Sequence, residues 1–287
     1  MPRSTHEIVV KTEYTLANKN GAFTRGYYMK QLSQWGLLLL AIGVLNACTV
    51  KTISHDMPQK NLQQASSLNV KLGLSYLRQG DVVRAKQKLL LAQQQNASAE
   101  AYRALAYFYD KTNNLQLANK YYQKAITKAP ENGAGHNNYG VFLCREKHYS
   151  DAERQFLIAA NDEHYVNTAN AYENAGLCAL LIPNEIKATR YFERALQENP
   201  NMPTSLQELV RLSYIQGRYE QANIYLQRYL KIGQLNANTL WLGVQIARKL
   251  QDGAAMQEYG ALLKIHFPQS TQFVQYQKLV EGDTDGR

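Results

Sequence analysis

The sequence predicts an all-α fold, a superhelix of six stacked helical hairpins closed by a capping helix. Three observations carry that expectation. Over 287 residues there are only 17 glycines and 7 prolines, while Ala, Leu, Gln and Tyr abound and β-branched runs are few, a composition that favours helix over strand. One alanine recurs at intervals of 33, 34, 36, 34 and 33 residues, as Ala85, Ala118, Ala152, Ala188, Ala222 and Ala255. Around each alanine the same pattern of sizes returns, and a fixed period of roughly 20–50 residues marks a stacked repeat.

The pattern justifies each hairpin. Four residues after the alanine stands a large apolar residue: Leu89, Tyr122, Phe156, Phe192, Leu226, Tyr259. Three further on come Ala92, Ala125, Ala159 and Ala195, then Tyr229 and Leu262. On the preceding helix a small residue recurs as Gly73, Ala106, Gly140, Gly176 and Gly243, with Val210 the exception. Two helices approach closely only where side chains are small, and the large residue is expected to fill the gap against the next repeat. Pro130 and Pro200 stop second helices, as proline does beyond a helix end. The pattern closely resembles the tetratricopeptide repeat over residues 66–268. No such unit buries its own apolar face, so stability comes from stacking. Residues 269–287 contain STQFVQYQKLVEGD, with Phe273, Val274 and Leu279 at helical spacing, and read as the capping helix and tail.

Residues 36–49, GLLLLAIGVLNACT, raise a different question. A bilayer-spanning helix needs about 20 apolar residues. The run from Trp35 to Leu45 is about half that and fits the apolar segment of a secretory signal. A buried helix would show polar residues on one face, and this stretch shows none. Leu45-Asn46-Ala47-Cys48 resembles the bacterial lipobox, in which the cysteine is acylated and becomes the new N-terminus. Residues 1–47 are therefore expected to be a leader with a lipoprotein signal peptide, Cys48 the lipidated residue, and residues 48–65 a flexible tether without an apolar stripe.

The chain has 32 Lys+Arg against 23 Asp+Glu, and without residues 1–47 the balance is 27 against 21. That surplus is mild, there is no basic run, and no nucleic-acid module is present, so nucleic acid is not an expected partner. Beyond Cys48, the cysteines are Cys144 and Cys178, in a chain expected to reach an oxidising compartment. Both fall on first helices, of repeats three and four, two register positions apart. Two positions turn a helix by about 200° and rise ~3 Å, so the two side chains of facing helices point together. Axes ~8–10 Å apart leave the Cα atoms about 4–5.5 Å apart, within disulfide range. The alternative is two reduced cysteines filling tight helix contacts.

No HExxH, GxSxG, P-loop or GxGxxG occurs, so no catalytic residue, metal site, cofactor or small-molecule substrate is expected. His55, His136, His148, His164 and His266 are isolated and read as surface or cap residues; the Asp162-Glu163 doublet reads as a solvated turn. What remains is a surface. The inner wall of such a superhelix is lined by first helices. Register places on it Val70, Leu74, Leu77 and Arg78 of repeat one, Arg103, Tyr107 and Lys111 of repeat two, and Asn137 and Val141 of repeat three. Apolar groups flanked by Arg, Lys and Asn suit an amphipathic helix or extended peptide, though any of them could instead pack against neighbouring helices.

Three stretches go beyond the generic repeat: HNNYGVFLCREKHYSDAERQF at 136–156, YENAGLCALL at 172–181 and TRYFERALQENP at 189–200. They resemble the type IV pilus biogenesis and stability lipoproteins, the PilF/PilW family. That resemblance implies an outer-membrane lipoprotein facing the periplasm, a pilotin whose partners are the secretin subunits of the pilus system, other pilus proteins being a further class of partner. It implies the Cys144–Cys178 pairing too, and Thr49 after the lipidated cysteine fits outer-membrane sorting. Two alternatives stand beside it: another periplasmic repeat lipoprotein of envelope or β-barrel assembly, and an accessory subunit of a cell-wall enzyme.

Overall fold

The computed structural model describes residues 58–182, 184–233 and 235–284. Cys48, His55, the leader and most of the expected tether lie outside the described residues. Among the described residues there are thirteen helices and no strand. Six hairpins follow one another: α1 (Gln59–Arg78) with α2 (Val82–Gln95), α3 (Ala99–Lys111) with α4 (Leu115–Lys128), α5 (Gly133–Arg145) with α6 (Tyr149–Ala160), α7 (Thr168–Ala179) with α8 (Glu185–Glu198), α9 (Pro203–Ile215) with α10 (Tyr219–Lys231), and α11 (Ala237–Lys249) with α12 (Gly253–His266). Helix α13 (Thr271–Thr284) packs on the last hairpin.

Local chemistry sets the helix ends. Asp81, Ser98, Asn114, Asn132, Asn184, Asn236 and Asp252 each sit just before a helix and accept a hydrogen bond from the amide three residues on. Such caps satisfy donors that have no partner within the helix. The turn inside the hairpin requires a left-handed residue, supplied by Gly80 and Gly217 in repeats one and five, but by Asn113, Lys147 and Gln251 in repeats two, three and six. Helix α1 begins at Gln59, so the tether expected to run to residue 65 is shorter than that. The apolar stripe continues one turn upstream through Leu62 and Ala65, both partly buried, ahead of buried Ser66, Asn69 and Val70.

The hairpins close on their small residues. A methyl group added to Gly73 would fall 2.6 Å from Leu89, one on Gly140 2.7 Å from Phe156, and one on Gly176 2.8 Å from Phe192. The large residue thus lies on the glycine of its own hairpin, not only against the next repeat as expected. Tyr122 shows the second contact as well, its ring 5.5 Å from Tyr139 and 5.3 Å from Phe142 of repeat three. At the far end Tyr276 lies on Gly260, with Phe273 and Leu279 against the core. Val274, expected on that face, is exposed, because the contact face of α13 runs through 273, 276 and 279.

Repeats three and four are joined covalently. Cys144 and Cys178 form a disulfide with their Cα atoms 5.9 Å apart. Beside it on the same pair of helices, the Asn174 amide donates to Asn137 Oδ1 at 3.0 Å. On the second helices, Glu153 of α6 accepts from Lys187 Nζ at 3.0 Å and from the Tyr191 hydroxyl, both of α8.

Two predictions follow from this packing, with urea unfolding monitored by circular dichroism as the measurement. Gly176→Ala drives a methyl into the Phe192 ring and lowers stability by about 1–3 kcal/mol. Gln251→Gly, at φ 58°, acts the other way and raises it by roughly 0.5–1 kcal/mol, relief of the left-handed penalty less the glycine entropy cost. For the disulfide, unreduced protein should titrate neither Cys144 nor Cys178 with a thiol reagent. Replacing both by Ala should cost roughly 3–4 kcal/mol for a separation of 34 residues.

Candidate functional site

The first helices of repeats one to four enclose a concave cavity of about 790 Å³. Helix α1 contributes Val70, Lys71, Leu74 and Arg78, and α3 contributes Glu100 and Arg103. The start of α5 adds Asn132, Asn137 and Asn138, and α7 adds Asn170. The rest of the wall comes from the connection between α4 and α5, through Ala129, Pro130 and Glu131, and from that between α6 and α7, residues 161–167, through Asp162, His164, Tyr165 and Val166. Three residues join α2 to α3 and four join α8 to α9, whereas seven join α6 to α7. The extra length lets this segment project over the cavity mouth, where Val166 is 91% exposed.

Several contacts hold that wall in place. Asp162 Oδ2 accepts from the Gly133 amide at 2.8 Å, and Oδ1 from the His164 amide at 2.9 Å. The doublet read as a solvated turn therefore contributes a cross-repeat cap on α5. These two N–H bonds, from Gly133 first and His164 second, hold the Asp162 carboxyl below the usual carboxylate range against the upward push of burial. Tyr165 packs on Gly133, where a methyl would come within 2.7 Å of its Cβ. Arg103 Nη1 donates to Asn132 Oδ1 at 3.2 Å. Beneath the floor lies His136, expected at the surface but 5% exposed. Its Nε2–H donates to the Pro130 carbonyl at 2.7 Å, and its Nδ1 pairs with the Gln155 side-chain amide at 2.6 Å. A carbonyl only accepts, so Nε2 carries a proton in the first bond, and the Gln155 atom nearest Nδ1 is Oε1.

Of the residues expected on the inner wall, Val70, Leu74, Arg78, Arg103 and Asn137 line this cavity. Four others do not. Val141 is buried in the core, Leu77 and Tyr107 pack against it, and Lys111 Nζ sits 5.5 Å over the Tyr107 ring. The first three lie in or against the core, whereas Lys111 is exposed. The residues that register missed are those of the 161–167 segment, whose signal was the single 36-residue interval in an otherwise 33–34-residue spacing.

Beyond Val166 lies a second cavity of about 380 Å³, with Asn167 and Asn170 shared and Glu173, Glu198 and Met202 on its far side. Glu173 Oε2 accepts from the Ser205 amide at 3.1 Å and its hydroxyl at 2.8 Å, which caps α9 across the repeat boundary. Amide side chains can both donate to and accept from an extended backbone, and apolar Val70, Leu74 and Tyr165 can take side chains between them. Among the described residues no group of three or more His, Cys, Asp or Glu is arranged to hold a metal ion, and no helix is long and apolar enough to cross a membrane.

The Asp162 cap gives a pH prediction. Its folded-state pKa is depressed, so the stabilisation is present above the unfolded value of about 3.9 and is lost as pH falls through the folded one. Asp162→Asn should lower the urea midpoint at pH 7, and the gap to the wild type should close as pH falls below about 4.

No family model matches the chain. It is 31% identical over 242 residues to the type IV pilus assembly protein PilF of Pseudomonas aeruginosa strain PAO1, covering 84% of this chain and 96% of that protein. The solved structure of Pseudomonas aeruginosa PilF superposes with a TM-score of 0.65 at 32% identity, over 76% of this chain and 99% of that one. PilW, described as a widely conserved type IV pilus biogenesis factor, gives 0.60 at 27% identity, over 74% and 98%. YrrB, a tetratricopeptide-repeat protein, shares the fold at TM-score 0.54 and 15% identity, over 66% of this chain and 97% of that one. These relatives are named for pilus biogenesis or repeat architecture, not for an enzymatic activity. With the repeat superhelix in place and that identity running the length of the relative, the chain belongs to the PilF/PilW family of type IV pilus biogenesis proteins.

Proposed function

We propose that the chain is a pilotin. Acylated at Cys48 and held at the outer membrane on its periplasmic side, it binds a segment of secretin subunits in the concave cavity and promotes their localisation and multimerisation. The observation that carries this reading is the cavity of about 790 Å³ across the first helices of four repeats. Its size falls among known ligand pockets, roughly 300–1,000 Å³. Its lining of Val70, Leu74, Tyr165, asparagines and Arg103 suits a segment with both apolar side chains and free backbone groups.

Anchoring and capture then act together. A single myristoyl chain holds a protein only marginally, whereas several chains on Cys48 would hold it firmly. Confining the binder to a surface raises the effective concentration of captured subunits there, which favours ring assembly with no covalent step.

Cys48→Ser should leave a folded protein that fractionates away from the outer membrane, with secretin multimers and surface pili reduced; normal multimers in that strain would end the anchoring role. A photo-crosslinking side chain at Lys71 or Val166, both cavity-lining, should capture secretin in intact envelopes. The same group at exposed Ile186, away from the cavity, should not. Capture of β-barrel assembly factors or a murein synthase from the cavity positions, without secretin, would replace this reading by one of its rivals.

A further inference from the structure

The charge of the chain is not spread along the solenoid. Residues 59–128, the first two hairpins, hold eleven Lys and Arg against three acidic residues. Residues 129–284 hold fourteen against sixteen. Helices α1 and α2 contain six basic residues and no acidic one.

The same end exposes apolar surface at positions that repeats two to five bury. Counted back from the small residue of the first helix, the positions five and one earlier are Ala101 and Leu105, Ala171 and Ala175, or Ser205 and Leu209 in repeats two, four and five. All six are buried, and the equivalent Tyr139 of repeat three stacks on Tyr122 of the preceding repeat. In repeat one they are Leu68 and Leu72, 58% and 37% exposed, one helical turn apart on a face of α1 that the described residues leave exposed. A second position agrees. Three residues after the repeat alanine, Tyr191 and Tyr225 reach back to Glu153 and Glu193 of the preceding second helix; in repeat one that place is taken by Lys88. Lys60 and Lys71 flank the leucine stripe along α1, both exposed.

Exposed leucines with lysines on the same hairpin, on a helix without acidic residues, match a surface that is apolar within and anionic at its boundary. We propose that the open N-terminal end of the solenoid is a lipid-facing surface, with Leu68 and Leu72 seated at the acyl boundary of a bilayer and Lys60, Lys71 and Lys88 against its anionic headgroups. The proposal rests on the anchoring of Cys48. Ten residues lie between Cys48 and Gln59, so the two Cα atoms are at most ~36–40 Å apart and the anchor brings this end to the membrane. The solenoid then stands on its first repeat, with the cavity beginning at the bilayer surface.

The test uses a single-tryptophan form of the mature chain. Trp35 lies in the leader, so Trp241→Phe leaves the mature chain without tryptophan; a reporter is then added as Leu68→Trp, or as Ile265→Trp at an exposed site on α12. The anchored proteins are placed in vesicles of brominated phosphatidylcholine and phosphatidylglycerol at about 3:1. The Leu68→Trp emission should fall at least about twofold relative to unbrominated vesicles, and should recover in about 1 M salt, where the Debye length is near 3 Å. The Ile265→Trp emission should not change. Equal emission with and without bromine at Leu68→Trp, on a chain shown by mass to be acylated and bound, overturns the proposal. So does a reporter shielded from both lipid and aqueous acrylamide, which would assign the cover to residues before Gln59. Where mass shows no acyl group, the anchoring reading falls by itself. The unanchored reporter chain mixed with the same vesicles then decides: quenching that needs phosphatidylglycerol upholds the lipid-facing end, and none rejects it.

Discussion

In repeats one, three and four the hairpin closes where a large side chain of the second helix lies on the backbone of the first, over a glycine with no room for more. Leu89 on Gly73, Phe156 on Gly140 and Phe192 on Gly176 are that contact. It sets how near the two helices come, and with it which faces are left. The second helix spends its buried side on its partner, through residues such as Ala85, Ala152 and Ala188, all fully buried. The first helix is gripped on one side by that ring and on others by neighbouring first helices. Its remaining face curves inward and becomes the cavity wall that holds Val70, Arg103 and Asn137. Interiors are packed densely and deform little, so the concavity is a consequence of hairpin closure rather than a separate device.

A solenoid of nearest-neighbour contacts is weakest where one contact is interrupted. The connection between α6 and α7 is the longest between consecutive hairpins, yet the helices it joins stay packed together, and the joint around it is tied on every side. The disulfide and the Asn174–Asn137 bond link the first helices. Glu153 links the second helices through Lys187 and Tyr191. Burial, then its bonds to Tyr191 and Lys187, act on the Glu153 carboxyl in opposite directions, and the bonds win, leaving it below the ordinary range. Asp162 fastens the connection itself to the start of α5. The segment that projects over the cavity therefore stands on the most heavily cross-linked joint described.

The alanine spacing made the hairpins, their number and the cap legible, because size at a buried position is a local property that repeats with the fold. Register on the first helices also reached Val70, Leu74, Arg78, Arg103 and Asn137. It failed at Val141 and Tyr107, since one face of a first helix serves both the groove and the stack, and sequence does not say where the boundary falls. It failed differently at His136 and Asp162. Their partners are Gln155 and Gly133, 19 and 29 residues away, and no local pattern announces a bond across that distance. The 36-residue interval was the one visible trace of the projecting segment. Helix α1 began early because Leu62 and Ala65 extend a stripe that the polar residues around them obscure.

A frame of this kind changes where the cost of binding falls. Ordering a flexible binder would consume part of the interaction energy, and a cavity already held by hairpin closure, a disulfide and cross-repeat caps leaves that cost to the bound segment alone. The charge distribution then matters more than any single contact. The first two hairpins hold eleven basic residues against three acidic, with acidic residues in slight excess beyond, yet the lining of the first cavity is balanced, with Lys71, Arg78 and Arg103 facing Glu100, Glu131 and Asp162. Lys71 and Arg78 stand at one end of the first cavity, Glu173 and Glu198 at the far side of the second. Apolar contacts such as Val70 and Tyr165 favour burial without favouring a direction, whereas charges of both signs fixed along the lining discriminate between the two ways a segment can lie.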